Sequence, residues 1–333
     1  MKNALQSVLN IFRFHKKKIL FLIGSIAFGI LVMFPYDDLS DYITLNVSRA
    51  TQSNVYLQFD GLSFGLLPQL GIKMENVLIE SVYAPTLSVK TLGVAPKLSA
   101  IMGKPAAKAV AYGLFDGDAT VDIAPSNQLD VEGDEMGVSL ELDNVSLKEL
   151  SKFLKNSYNL PITMNGKTNL DSQLFVDPTF KVQPKGDLAL NVKNLDIPSS
   201  NLPLNMNGAT MSLALPALKL SNLEVEGNIG DGKLFIKTGK IGGPKNDLNG
   251  TITGDLFVRV NRRGAAQVSG YDLKINLNIK DNLKRQLSTI LGFIDFYQGI
   301  GEKYKFDSLN GIRYSMRVTS GRTLRDPPRI TSY

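Results

Sequence analysis

Apolar and polar residues alternate with a period of two through most of the chain. The pattern is clearest at Val55–Phe59, Leu188–Val192, Met211–Leu215, Leu256–Val260 and Leu273–Ile279. Period-two alternation buries one face of a strand and leaves the other polar, as antiparallel sheets require. Seven Asn-Gly or Asp-Gly pairs, beginning at Asp60, Asp116, Asn165, Asn207, Asp231, Asn249 and Asn310, lie among these runs. Such pairs tolerate the positive φ of two-residue hairpin turns and predict a long meander. The period changes to helical in three places. Leu39, Ile43, Val47 and Ala50 predict a short amphipathic helix over 38–50. Ser146-Leu-Lys-Glu149 has the spacing of a capping box and opens a helix to about Asn156. Leu283, Leu287, Ile290, Leu291 and Ile294 predict a third helix, and covering the sheet is the simplest role for the last two.

Ahead of the alternating body, Ile19–Phe34 contains no ionisable residue. Sixteen helical residues span roughly 24 Å, and Pro35, Tyr36 and the long stems of Lys16, Lys17 and Lys18 extend the reach toward a full bilayer crossing. Arg13 and the three lysines precede the run, while Asp37, Asp38 and Asp41 follow it. The positive-inside rule therefore places the N-terminus in the cytoplasm and the body across the membrane. The small-x-small triplets Ser25-Ile-Ala27 and Ala27-Phe-Gly29 lie inside the apolar run, not at its end, which favours an uncleaved anchor over a signal peptide. Ser25 and Gly29, four residues apart, are the candidate face for helix packing within the membrane.

Composition changes the picture mainly by exclusion. The formal charge of +6 over 333 residues rests on five cations in the first 35 residues, and the remainder holds 32 cations against 31 anions. A folded body so nearly neutral offers no basic face for nucleic acid. There is no cysteine, and the single histidine, His15, precedes the apolar run. Thiolate metal sites and Ser-His or Cys-His catalysis are thus excluded from the body. The Gly-rich stretch 226–232 lacks a phosphate-binding pattern and reads as a hairpin. The acidic cluster Asp130, Glu132, Asp134 and Glu135 lacks the spacing of a calcium loop. No cofactor and no metal are expected, and the chain reads as non-enzymatic. Near the C-terminus, Arg313, Arg317, Arg322, Arg325 and Arg329 face only Asp326 in charge and form the candidate contact for an acidic partner or anionic headgroups.

Several of these motifs resemble the type II secretion system protein N family in its deltaproteobacterial form. Phe34-Pro-Tyr-Asp-Asp-Leu39, the short helix after it, Val55-Tyr-Leu-Gln-Phe59, Leu67-Pro68 and Gly113-Leu-Phe-Asp-Gly117 look like that family's opening. Leu160-Pro-Ile-Thr-Met-Asn-Gly166, Leu218-Lys-Leu-Ser-Asn-Leu223, Gly232-Lys-Leu-Phe-Ile236 and Leu248-Asn-Gly250 are similar to the related AsmA-type region. The resemblance implies an inner-membrane anchor and a periplasmic β domain with a structural or accessory role in protein export. The implied partners are other inner-membrane subunits of that system and its outer-membrane channel. An AsmA-like relationship implies the alternative, a sheet bent into a trough that binds or transfers lipid.

The expected architecture is mainly β. An N-terminal transmembrane helix leads into an elongated, curved antiparallel sheet, an AsmA-like trough with a few covering helices. The expected divisions are a basic cytoplasmic stub (1–18), the transmembrane helix (19–36), an N-terminal β-rich part (37–145), an AsmA-like part (146–311) and an Arg-rich tail (312–333).

Overall fold

The computed structural model describes residues 17–18, 21–22, 25–26, 29, 39–65, 71–81, 86–101, 103–104, 106–129, 135–158, 163–206, 209–261, 266–296, 303–308, 311–321 and 329–331. Among these residues the chain is mainly β, with one antiparallel sheet of sixteen strands and a separate two-stranded hairpin. The sheet starts with β1 (Val55–Gln58), β2 (Gly61–Gly65), β3 (Gly71–Ser81), β4 (Leu87–Pro96), β5 (Ala107–Leu114), β6 (Gly117–Pro125) and β7 (Met136–Ser146). It continues through β8 (Asn165–Val176) and β9 (Lys185–Ile197), which the small hairpin β10 (Ser200–Met206) and β11 (Ala209–Leu215) separates in sequence from β12 (Leu218–Gly230). The remaining strands are β13 (Lys233–Ile241), β14 (Leu248–Val260), β15 (Ala266–Lys280), β16 (Lys305–Ser308), β17 (Gly311–Thr319) and β18 (Arg329–Thr331). Sequence neighbours pair in space nearly throughout, as the meander predicted, and one sheet continues on both sides of residue 145, with a bulge between Leu142 and Val145.

Both edges of the sheet are blunt. At one, β1 and β2 share the outer side of β3, Val55 opposite Ser81 and Gly61 opposite Glu75. At the other, β16 and β18 share the outer side of β17. Short edge segments leave little unpaired backbone to template pairing with another chain.

The Asx-Gly pairs divide into turns and strand interiors. Asp231 and Gly232 both have positive φ and close the β12–β13 hairpin as expected. The β5–β6 turn is displaced by one residue. Phe115 and Asp116 take the positive φ values, and Gly117 begins the next strand. Asp60-Gly61 is a break between two segments that pair with the same strand, while Asn165-Gly166 and Asn249-Gly250 lie within strands. For the pairs at Asn207 and Asn310, the turn residues lie outside the described residues.

The helices are α1 (Ser40–Ala50), α2 (Leu98–Ile101), α3 (Leu147–Tyr158), α4 (Asp281–Gln286) and α5 (Ser288–Phe296). Leu39, Ile43 and Val47 press α1 onto Leu57, Leu62, Met74, Val77 and Val89. Leu147 and Leu150 bring α3 against Val192, Leu195 and Leu220. Leu283, Leu287 and Leu291 join Ile279, Ile312 and Tyr314 under α4 and α5. Glu149, in the expected capping box, is engaged by Lys152 Nζ at 2.7 Å. Most of the apolar segment 19–36 lies outside the described residues, and among those described no helix is long and apolar enough to cross a membrane.

Ile312 is only 1% exposed, at the centre of the last of these clusters. Ile312→Ala should lower stability by about 3 kcal/mol, read as a lower urea midpoint at unchanged slope.

Candidate apolar groove

Directly opposed residues of neighbouring strands lie on the same face, so the pairing register shows how each face is composed. One row begins at Leu62 and passes through Met74, Leu92, Ala111, Ala119 and Leu142. It continues through Leu170, Leu190, Val225, Gly239, Ile252, Ile275 and Met316. No polar side chain interrupts it. The parallel row from Phe64 to Val318 crosses the same strands with Ser172 as its one polar member. At about 4.8 Å per strand, twelve steps carry this apolar face nearly 60 Å.

Its cover is partial. The three buried clusters lie at one end of the strands, where α1, α3, α4 and α5 pack. Phe115 in the β5–β6 turn meets Phe153 of α3 edge-on at 5.2 Å, extending that closed rim. Away from it, Leu140, Leu170, Leu188, Val225, Ile252, Leu273 and Ile275 are half-buried and belong to none of the clusters, while Ser172 and Ile236 beside them are buried. Among the described residues, the strands in closest backbone contact are ladder neighbours or strands next but one.

Glycines on the apolar face allow very close strand approach. A Cβ on Gly186 would lie 1.9 Å from the Gln173 carbonyl oxygen, and one on Gly254 would lie 2.1 Å from that of Asp272. Both have positive φ, at 152° and 127°. Only glycine meets both demands without strain.

The opposite rim carries a strap between β8 and β9. Asp177, 3% exposed, accepts hydrogen bonds from the Thr179, Lys181 and Val182 amides and from the Thr179 hydroxyl. The Thr179 amide is the main cause of a carboxyl held below the ordinary aspartate range, working against burial. Gln183 then reaches β14, donating to the Val260 carbonyl at 2.9 Å and accepting from its amide at 2.8 Å. Nothing in the sequence signals this contact, because its partners are 77 residues apart.

The other face is polar and stitched across strands. Asn278 donates to Asn249 at 3.1 Å, and Ser315 donates to Asn276 at 2.7 Å. Glu141, Asp171, Glu224 and Glu226 border a shallow depression of about 320 Å³ on this side. Hydrogen bonds from Asn222 and Lys240 hold the Glu224 carboxyl down. Among the described residues no three acidic or imidazole side chains converge as metal ligands. Glu135 is turned into its own loop, accepting from the Gln128 and Leu129 amides at 2.8 and 2.7 Å. Its expected companions Asp130, Glu132 and Asp134 lie outside the described residues.

The arginines expected to form a contact surface are only partly together. Arg313, Arg317 and Arg329 share the polar face at β17 and β18, while Arg322 and Arg325 lie outside the described residues. Residues 311–319, at the start of the expected tail, form a strand paired on both sides. Arg317 is committed within the chain. Its Nε donates to Asp272 at 2.7 Å and a second nitrogen completes a bidentate pair, which argues against a free headgroup contact there. Arg313 lies over the Phe306 ring at 5.8 Å, and Arg329 is exposed. Ser25 is exposed, and a Cβ on Gly29 would meet no atom within 4 Å.

No family model matches the chain, and no curated protein or solved structure is detectably similar to it.

Leu188→Ser with Leu273→Ser should cost about 2 kcal/mol per site, because both side chains are half-buried. The same pair should weaken binding of an apolar fluorescent dye, measured by titration. Arg317 chiefly depresses the Asp272 carboxyl, as Thr179 does that of Asp177. Their stabilisation is complete above the ordinary aspartate range and is lost as pH falls through the lower folded values, below about pH 4. Asp272→Asn should therefore flatten the acid limb of the stability profile, followed by urea midpoints against pH.

Proposed function

We propose that this chain is a membrane-anchored, non-enzymatic protein whose apolar sheet face takes up the acyl chains of lipids. The observation that carries the reading is the continuous apolar row from Leu62 to Met316, mostly half-buried through its middle strands. Each methylene moved from water onto such a face contributes about 0.8 kcal/mol, so an acyl chain is stabilised where the described helices leave the face uncovered. A twisted open sheet of more than about ten strands curls, and the close approaches at Gly186 and Gly254 support bending around the apolar side into a trough. The headgroup would stay at the open rim, near the strap that Gln183 ties to Val260.

In this reading residues 19–36 cross the inner membrane once, with the N-terminus cytoplasmic and the sheet in the periplasm. Support comes from the charge asymmetry of the flanks and from Phe21, Leu22 and Ile26, which are 77%, 59% and 55% exposed at helical positions. The length of the row supports transfer of lipid along the sheet.

A structural role in the type II secretion system is the second reading. It is favoured by Tyr112, Phe235 and Phe306, three aromatic side chains exposed on the polar face. Exposed aromatic residues are typical anchors of protein–protein contacts. In-cell photocrosslinking separates the two. Photoreactive residues at Leu188, Val258 and Leu277 should yield phospholipid adducts, detected by mass spectrometry. Adducts only to secretion subunits from these apolar positions would overturn the lipid reading.

A further inference from the structure

The outward side of α1 is unusual for a surface helix. Its inner side is accounted for by Leu39, Ile43 and Val47 in the core and by the Thr44 hydroxyl, which donates to the Leu57 carbonyl at 2.9 Å. On the outer side, Tyr42 and Leu45 are 66% and 53% exposed, and Arg49 is exposed one turn further on. An aromatic ring, an aliphatic side chain and a cation at positions i, i+3 and i+7 share one stripe of a helix. Asp41 and Asn46 flank the stripe. Tyrosine rings favour the headgroup level of a bilayer, and an apolar stripe with a basic residue suits a helix lying in that plane.

The position of the helix in the chain identifies what covers the stripe. Five residues separate the apolar run Ile19–Phe34 from Ser40, so full extension puts at most about 20 Å between Phe34 and Ser40. That tether keeps α1 within reach of the bilayer surface, where two apolar side chains suffice because the second contact is intramolecular.

Resting on the reading of residues 19–36 as a membrane anchor, we propose that Tyr42, Leu45 and Arg49 of α1 lie in the lipid–water interface. This contact seats the β1–β4 end of the apolar groove on the membrane surface. The other end, under α4 and α5, is then held away from it by most of the sheet's length. The partner is the phospholipid interface itself, and the contact gives the groove a membrane-proximal mouth.

The absence of cysteine makes the test direct. Single cysteines introduced as Tyr42→Cys, Leu45→Cys, Phe21→Cys and Arg285→Cys are labelled with an environment-sensitive fluorophore. The full chain is reconstituted in phosphatidylcholine vesicles with and without brominated acyl chains. Labels at 42 and 45 should show blue-shifted emission quenched by brominated lipid, as at 21, while the label at 285 on α4 stays water-like. Quenching at 21 without quenching at 42 and 45 overturns the seating of α1 and leaves the anchor standing. Loss of quenching at all four positions overturns the anchor reading and this inference with it. Equal quenching at 45 and 285 contradicts the orientation, because the sheet would then lie flat on the bilayer.

Discussion

Successive side chains of a strand point to opposite faces, so a one-residue slip in any ladder turns every later strand over. A single apolar face across thirteen strands therefore depends on each connection restoring the same register. The irregularities respect this constraint. Between Leu142 and Val145 two residues oppose one on β8, and between Ile236 and Gly239 two oppose one on β14. A bulge of this kind bends the strand while returning the next apolar residue to its original side. The hairpin register, more than any one contact, unites Leu92, Leu170 and Ile275 in one surface.

Among the described residues, helices α1, α3, α4 and α5 close one rim of that surface and produce the three buried clusters, leaving the middle strands with half-buried leucine, isoleucine and valine. On the other face, Asn, Ser, Asp and Arg pair across strands and need no cover. The asymmetry between a polar face paired across strands and a partly covered apolar one is the physical basis for proposing lipid on the apolar face. Carboxylates on the polar side meet cations and amides, with Asp272 on Arg317 and Glu224 on Asn222 and Lys240.

Much of this fold was legible in the chain because alternation is a local signal. Leu188–Val192 and Leu273–Ile279 announced their strands, and the 3.6-residue spacing of Leu283, Leu287 and Leu291 announced the last helices. The turns were less legible. Asn249-Gly250 has turn chemistry, yet its glycine serves a strand where a Cβ would lie 2.2 Å from the Asn276 carbonyl oxygen. Phe115 has no intrinsic preference for positive φ, and its contact with Phe153 accompanies a turn displaced by one residue. The apolar composition of the groove could be read from single strands. Its openness could not, because cover depends on where distant elements dock, as the strap from Gln183 to Val260 illustrates.

The most direct test of the open apolar face uses methyl NMR of the full chain with a fatty acid carrying a nitroxide on its acyl chain. Paramagnetic broadening should fall on the methyl groups of Leu170, Leu188, Ile252 and Leu273 and spare those of Leu291 and Ile312 in the buried cluster. Broadening absent from the sheet methyls, or spread equally over buried and open positions, would contradict the account.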